Sequence, residues 1–400
     1  MKEICILRNP IQNYAWGSPT AIPELLGEPT PSDKPQAELW MGAHVKAHSE
    51  VLVDGNWHPL PELMEKSPTE ILGKRVTERF GAKLPFLFKV IAAAKPLSIQ
   101  AHPNLDQARE GFARENRMGI PPTDPNRNYR DDNHKPETIC ALTPFWVLNG
   151  FRKVSDIVSQ LRGINPSGIS EEVKDLEAHP DSDGLKRFFS KIMRMENLRQ
   201  KHVVEEAVGV AERSRGEDPV FEWMIRLQEQ YPGDIGVLSP VLLNLVQLQP
   251  GEAMFVYAGQ LHAYLEGTGV ELMANSDNVL RGGLTSKHID VPELLRVLDF
   301  AEKEIAILTP KEQADGERAY PWQSEEFRLS VITVNAGVPY TSPDDRSVEI
   351  LICVSGKASA RDLAGHKVLE LKRGTSILVP AAVRQYVIEG EATLYKASVP

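Results

Sequence analysis

Between Gly150 and about Pro232 the apolar residues of this 400-residue chain recur every three or four positions, whereas on either side they alternate or run in short blocks. A sheet cannot accommodate both periods, so the chain must fold as β structure interrupted by a helical block. Val154, Ile157, Val158 and Leu161 fall at i, i+3, i+4 and i+7, and Gly163 followed by Pro166 predicts the end of that helix. Leu185, Phe188, Phe189, Ile192 and Met193 repeat the spacing, as do Val203, Val204, Ala207, Val208 and Ala211. Asp218-Pro219 supplies an N-cap and a first-turn proline for a fourth helix through Trp223 and Ile225.

The flanking texture predicts strands. Pro85–Ile91 reads as a buried strand, Val246-Gln247-Leu248-Gln249 as a half-buried one before a Pro250-Gly251 turn, and Ala253–Tyr257 as another. From Phe327 onward short strands follow, with Arg328–Val334 and Val348–Val354 the clearest, and turns are predicted at Ser355-Gly356, Arg373-Gly374 and Glu389-Gly390. The run Val241–Leu245 is too short to read by period. A pair of segments repeats. Gly251, Tyr257, Gly259 and His262 overlay Gly374, Pro380, Ala382 and Gln385 at the same spacing, which resembles the second motif of the cupin family, where the histidine binds metal inside a small barrel. The first copy keeps the ligand and the second has Gln385. Glu349 and Gly356 resemble the tail of the first cupin motif, but no histidine stands between Pro343 and Val348.

Hydrophobic residues make up 42% of the chain and charged residues 25%. Both lie near the globular norm, which excludes disorder as the main state, and the length calls for two or three domains. A net charge of −10 disfavours non-specific binding to nucleic acid or anionic membrane, so any phosphate site must be local. No stretch approaches the roughly 18 apolar residues that a spanning helix needs. Cys5, Cys140 and Cys353 form no C-x-x-C pair, which argues against a disulfide framework or thiolate zinc site and for a reducing, cytoplasmic setting. The four-residue apolar run in Met1–Arg8 is too short for a secretory signal.

Several residues could carry chemistry. On an extended segment Ser98–Asn104, Gln100 and His102 share one face and can reach one ion. Glu137 in Asn133-His134-Lys135-Pro136-Glu137 adds a carboxylate and His262 a second imidazole, a set suited to Zn²⁺, or to Mn²⁺ and Fe²⁺. The alternative is that these are scattered core and surface residues. His44, His48, His58, His134, His179, His202, His288 and His366 are left as structural or solvent-exposed, and Lys135 with Glu137 reads as a surface ion pair. In Glu271–Thr285, Arg281-Gly282-Gly283 places a fixed cation beside flexible backbone, either an anion site or a plain, mobile surface loop.

The ordered set of motifs resembles the type I phosphomannose isomerase family over nearly the whole chain. It comprises Gln12–Ser18, Glu38–His44, Leu84–Lys89, Ser98–Pro103, Asn133–Glu137, Gly259–Tyr264 and Asn275–Thr285. The resemblance implies a mainly β fold of two cupin-type jelly-roll barrels with an α-helical insertion: residues 1–150 with 236–320 catalytic, 151–235 helical and 321–400 a metal-free barrel. It implies one Zn²⁺ per chain held by Gln100, His102, Glu137 and His262, and an enzyme interconverting mannose 6-phosphate and fructose 6-phosphate. Arg281, Lys135, Glu271 and Asp277 are then the catalytic candidates, and Ser98, Lys135, Arg281 and Tyr264 the substrate-binding ones. Isomerisation moves a proton between C1 and C2 through an enediol, which asks for a carboxylate to carry the proton and a Lewis acid near the two oxygens. The implied partner is a sugar phosphate, with no nucleic acid or membrane. The sequence leaves the oligomeric state open, a monomer being compatible with it. Two rivals stay open: a non-haem iron oxygenase with a two-histidine, one-carboxylate site, and a sugar-binding or storage bicupin, against which Lys135 and Arg281 speak.

Overall fold

A computed structural model describes residues 2–365 and 367–400, so Met1 and His366 lie outside the described residues. Its architecture is mainly β with a helical insertion. Two eleven-stranded sheets form among the described residues, one built mostly from the first half with the segments from Leu243 to Gly283, the other mostly from the C-terminal region. The strand Cys5–Arg8 belongs to the second, pairing Cys5 with Leu378 and Leu7 with Val51.

The strand Phe86–Ala93 is buried at every position and lies between Glu38–His44 and His262–Ala274. A strand covered on both faces has no polar side to alternate with, which is why its sequence runs apolar. Lys89 interrupts the run, and the register sets it opposite Glu271 on one neighbour and Trp40 on the other.

The helical block contains five longer helices, Val154–Ile164, Ser170–Ala178, Ser182–Met193, Asn197–Arg213 and Pro219–Gln230. The second was missed because its apolar face is only two residues wide, Val173 and Leu176. Gly163 lies inside the first helix; Asn165, with φ 47°, ends it instead, since an asparagine tolerates the left-handed cap that other side chains avoid. The block shares a core with Ile99, Leu148, Phe151, Leu261 and Leu280 and so braces the sheet behind the strands that carry the candidate ligands.

The repeat is structural. Gly251 and Gly374 have φ of 88° and 85°, each precedes a four-residue strand, Ala253–Val256 or Ser376–Val379, and each unit ends in a thirteen-residue strand, His262–Ala274 or Tyr386–Ser398. Two predicted turns are absent. Ser355-Gly356 and Glu389-Gly390 lie within the strands Glu349–Asp362 and Tyr386–Ser398, which pair along their lengths. A Cβ on Gly356 would sit 2.1 Å from the Glu391 carbonyl oxygen, so these glycines permit close strand crossing with a local bulge rather than chain reversal.

Candidate metal centre

Three side chains converge beneath the first sheet. His102, Glu137 and His262 are each buried, and one ligand atom from each lies within 4.8 Å of the others. The short strand Ile99–Ala101 delivers Gln100 and His102; Gln100 pairs with His262 on one side and Arg281 on the other. Glu137 begins the strand Glu137–Ala141, opposite Val256 and Met273. Its two oxygens face the imidazoles, Oε1 at 3.5 Å from His102 Nε2 and Oε2 at 3.4 Å from His262 Nε2.

The donor set fits a divalent metal. Each histidine has its Nδ1 against a carbonyl, His102 on Asn278 at 2.7 Å and His262 on Gln260 at 3.1 Å. A carbonyl only accepts, so Nδ1 carries the hydrogen and both Nε2 lone pairs point inward. The buried His102 Nε2 has no hydrogen-bond partner, which without an ion is a costly arrangement. Burial and the nearby Lys135 charge push the His102 imidazole down to about 4, so it is a neutral ligand at neutral pH. Gln100 directs its amide nitrogen to Ser98 Oγ at 3.4 Å.

A cavity of about 50 Å³, enough for an ion and its waters, opens beside this triad. Ser98, Gln100, Lys135, Glu137, His262, Tyr264 and Glu271 all line it, joined by Glu38 and Lys89. Lys135 Nζ is 2.8 Å from Glu137 Oε1, with side-chain exposures of 11% and 3%, so the expected surface ion pair is a buried one within the site. Burial opposes the Lys89 charge, but Glu271 at 2.8 Å and Glu38 at 3.8 Å, with Glu137 beyond, hold the ammonium well above its usual value. The carboxylates diverge. Against the cost of burial, Lys135 and His102 hold Glu137 well below the usual range, while burial pushes Glu271 up and the Glu137 and Glu38 charges add to it against Lys89. Burial, with the Glu271 and Glu137 charges, keeps the Tyr264 hydroxyl protonated.

Asp277 and Arg281 lie outside that cavity wall. The Asp277 carboxylate is taken by Lys46 at 2.8 Å and the buried His44 at 3.6 Å, and its pKa is lowered although burial opposes this. Arg281 is on a strand, Leu280–Gly283, not on the mobile loop expected, because the Gly283 conformation (φ 135°) lets the segment pair with Ile99–Ala101. It is half-buried, and no ion pair engages it among the described residues. Partial burial together with Arg281, Arg130 and Lys46 lowers the Lys287 ammonium, so these four cations stand near one another outside the cavity wall. Sequence reasoning missed Glu38 and Lys89, which line the cavity, and the cations Arg130 and Lys287 near Arg281. Lys89 had a signal, a lone cation within an apolar strand; Arg130 and Lys287 had none, since both stand in polar stretches.

Comparison with known proteins bears on the whole chain. Residues 4–154 match the phosphomannose isomerase type I catalytic domain, 166–243 its helical insertion domain and 317–399 the mannose-6-phosphate isomerase cupin domain. The mannose-6-phosphate isomerase of Escherichia coli is 41% identical over 97% of both chains, and that of Homo sapiens 34% identical over 93% of this chain and 92% of its own. A zinc-bound crystal structure of mannose 6-phosphate isomerase superposes with a TM-score of 0.92 at 40% identity, covering 99% of each chain. The chain belongs to the type I phosphomannose isomerase family.

Proposed function

We propose that this protein is a zinc-dependent aldose–ketose isomerase that interconverts mannose 6-phosphate and fructose 6-phosphate by proton transfer through an enediol. The observation that carries the reading is the buried His102–Glu137–His262 cluster with both Nε2 lone pairs turned inward. Gln100 completes the proposed ligand set. When bound, zinc supplies Lewis acidity toward the two sugar oxygens.

The remaining steps fall to the side chains of this chain. Glu271, the cavity carboxylate whose proton is held most readily, carries the proton between C1 and C2, because paired carboxylates driven apart in pKa divide the roles of charge holder and proton carrier. Asp277, kept ionised by Lys46, anchors that lysine and His44 rather than moving the proton. Lys135, in the cavity wall, steadies charge on the reacting oxygens, with Ser98 and Tyr264 as hydrogen-bonding groups along the same wall. Arg281, on the strand beside Gln100, binds substrate and donates to the charge that develops on it, and Arg130 and Lys287 near it suit the 6-phosphate. Residues 1–150 with 236–320 are the proposed catalytic part, 151–235 the helical part and 321–400 a metal-free barrel that borrows the strand Cys5–Arg8. Three buried, widely spaced cysteines suit a cytoplasmic setting, and the product links mannose use to nucleotide-sugar supply.

The test is a coupled assay with mannose 6-phosphate, with and without a chelator. Turnover that the chelator abolishes and zinc restores is expected; full activity in a metal-stripped protein would overturn the reading.

A further inference from the structure

On a chain with a net charge of −10, one concave surface has the opposite sign. Helix Ser182–Met193 buries Leu185, Phe188, Phe189 and Ile192, which leaves Lys186, Arg187 and Lys191 on its outer side with Arg194 just past its end. Helix Val291–Val297 lies alongside and contributes Pro292, Leu295 and Arg296, and the two border a shallow, open groove of about 700 Å³. The groove shares no lining residue with the metal-centre cavity.

The charges of the groove are only partly neutralised. Arg187 and Lys191 share a single carboxylate, Asp175, at 3.6 and 3.3 Å, and Arg296 holds Glu110 at 2.6 Å. Asp183 is the acidic residue on the groove wall itself. Lys186 and Arg194 have no ion pair among the described residues. Five cations against three carboxylates leave a positive surplus at one spot, and like charges crowded together repel unless an anion joins them. Guanidinium and ammonium groups in a cluster match phosphate oxygens, and a surplus of this size suits a diphosphate better than a carboxylate. Pro292 and Leu295 add an apolar floor on which a flat ring can rest.

We propose that this groove is a second ligand site, separate from the metal centre, for a small molecule of the nucleoside diphosphate type. Its diphosphate lies across Lys186, Arg187 and Arg194, and its ring lies over Pro292 and Leu295.

Calorimetric titration of ADP into the zinc-loaded full-length protein tests this, run with and without saturating mannose 6-phosphate. The expected result is one ADP per chain with Kd below about a millimolar in both conditions. In Lys186→Ala/Arg194→Ala the affinity should fall at least about tenfold while isomerase activity, used as the check on folding, is retained. Raised salt should weaken binding, and adenosine should not bind. The proposal is overturned if ADP does not bind at millimolar concentration, if mannose 6-phosphate displaces it, if adenosine binds equally well, or if the double substitution leaves its affinity unchanged.

Discussion

Two carboxylates in one buried cavity behave oppositely because their neighbours differ: Glu137 faces Lys135 and two imidazoles, whereas Glu271 shares Lys89 with Glu38. A ligand triad this compact tolerates no missing member. His102→Ala is expected to lose zinc and activity together while the far-ultraviolet circular dichroism stays unchanged, since the remaining imidazole and carboxylate leave an incomplete shell. Stoichiometric zinc by elemental analysis in that variant would remove His102 from the set. Arg281 poses a separate question because it lies on a paired strand yet has no carboxylate partner among the described residues. A side chain whose positive charge is left unpaired and half-buried contributes little to the fold, so Arg281→Ala should keep its zinc and its melting temperature. Loss of one donor to developing charge costs roughly 3 to 4 kcal/mol, and kcat/KM for mannose 6-phosphate should fall at least about a hundredfold. Normal turnover in a folded, zinc-loaded variant would make Arg281 a bystander.

At the scale of elements, what was legible in the sequence follows from how widely each pattern is repeated. The helix Ser182–Met193 buries six residues on one face and was readable; Ser170–Ala178 offers two apolar positions, Val173 and Leu176, and was not. Gln100 and His102 could be set on one face because alternation along a strand needs no tertiary knowledge, and the turn glycines Gly251 and Gly374 marked the repeat. Glu38 reaching Lys89 depends on the pairing of Glu38–His44 with Phe86–Ala93, a contact that no local pattern encodes. The C-terminal strands carry a similar hidden feature. Lys396 Nζ lies 2.7 Å from Glu317 and 3.2 Å from Glu349, and Arg346 is 3.1 Å from Glu349, all of them almost fully buried. These cations hold the Glu349 carboxyl below its usual value although burial opposes this. A carboxyl depressed in the folded state adds stability above its unfolded value, about 4.3, and loses that contribution as the pH falls through the folded value. The stability gap between the wild type and Glu349→Gln, measured by denaturant unfolding, should therefore be constant near neutrality and narrow below about pH 4.3. A gap unchanged down to the acid end of folding would show that Glu349 owes nothing to its charge.

At the scale of the whole molecule, the two sheets are not independent bodies. One core contains Phe86, Phe88, Val270 and Leu272 from the first sheet together with Leu329, Val331, Ile350 and Leu378 from the second. Cys140 Sγ reaches Tyr320 Oη at 3.1 Å and Tyr395 Oη at 3.6 Å across the same boundary. The strand Cys5–Arg8 is inserted between Ser376–Val379 and Glu50–Val53, so the chain's first strand completes the sheet formed by its last. A fragment of residues 321–400 would lose that strand, leave the Ser376–Val379 edge unpaired and expose the shared apolar face. Burial of apolar area stabilises by about 25 cal/mol per Å², and a fragment of this size has little surplus once a whole face is returned to water. The fragment alone is expected to be unfolded or aggregated, and to become soluble and β-structured when it is extended back to Lys311, which restores Glu317 opposite Lys396, and the segment carrying Cys5–Arg8 is fused to it through a flexible linker. Because Gln385 stands where His262 stands in the first unit, neither form should bind zinc. A lone fragment with a cooperative thermal transition would show that the second sheet folds without its borrowed strand, and calorimetry of the intact chain would then have to resolve two transitions rather than one.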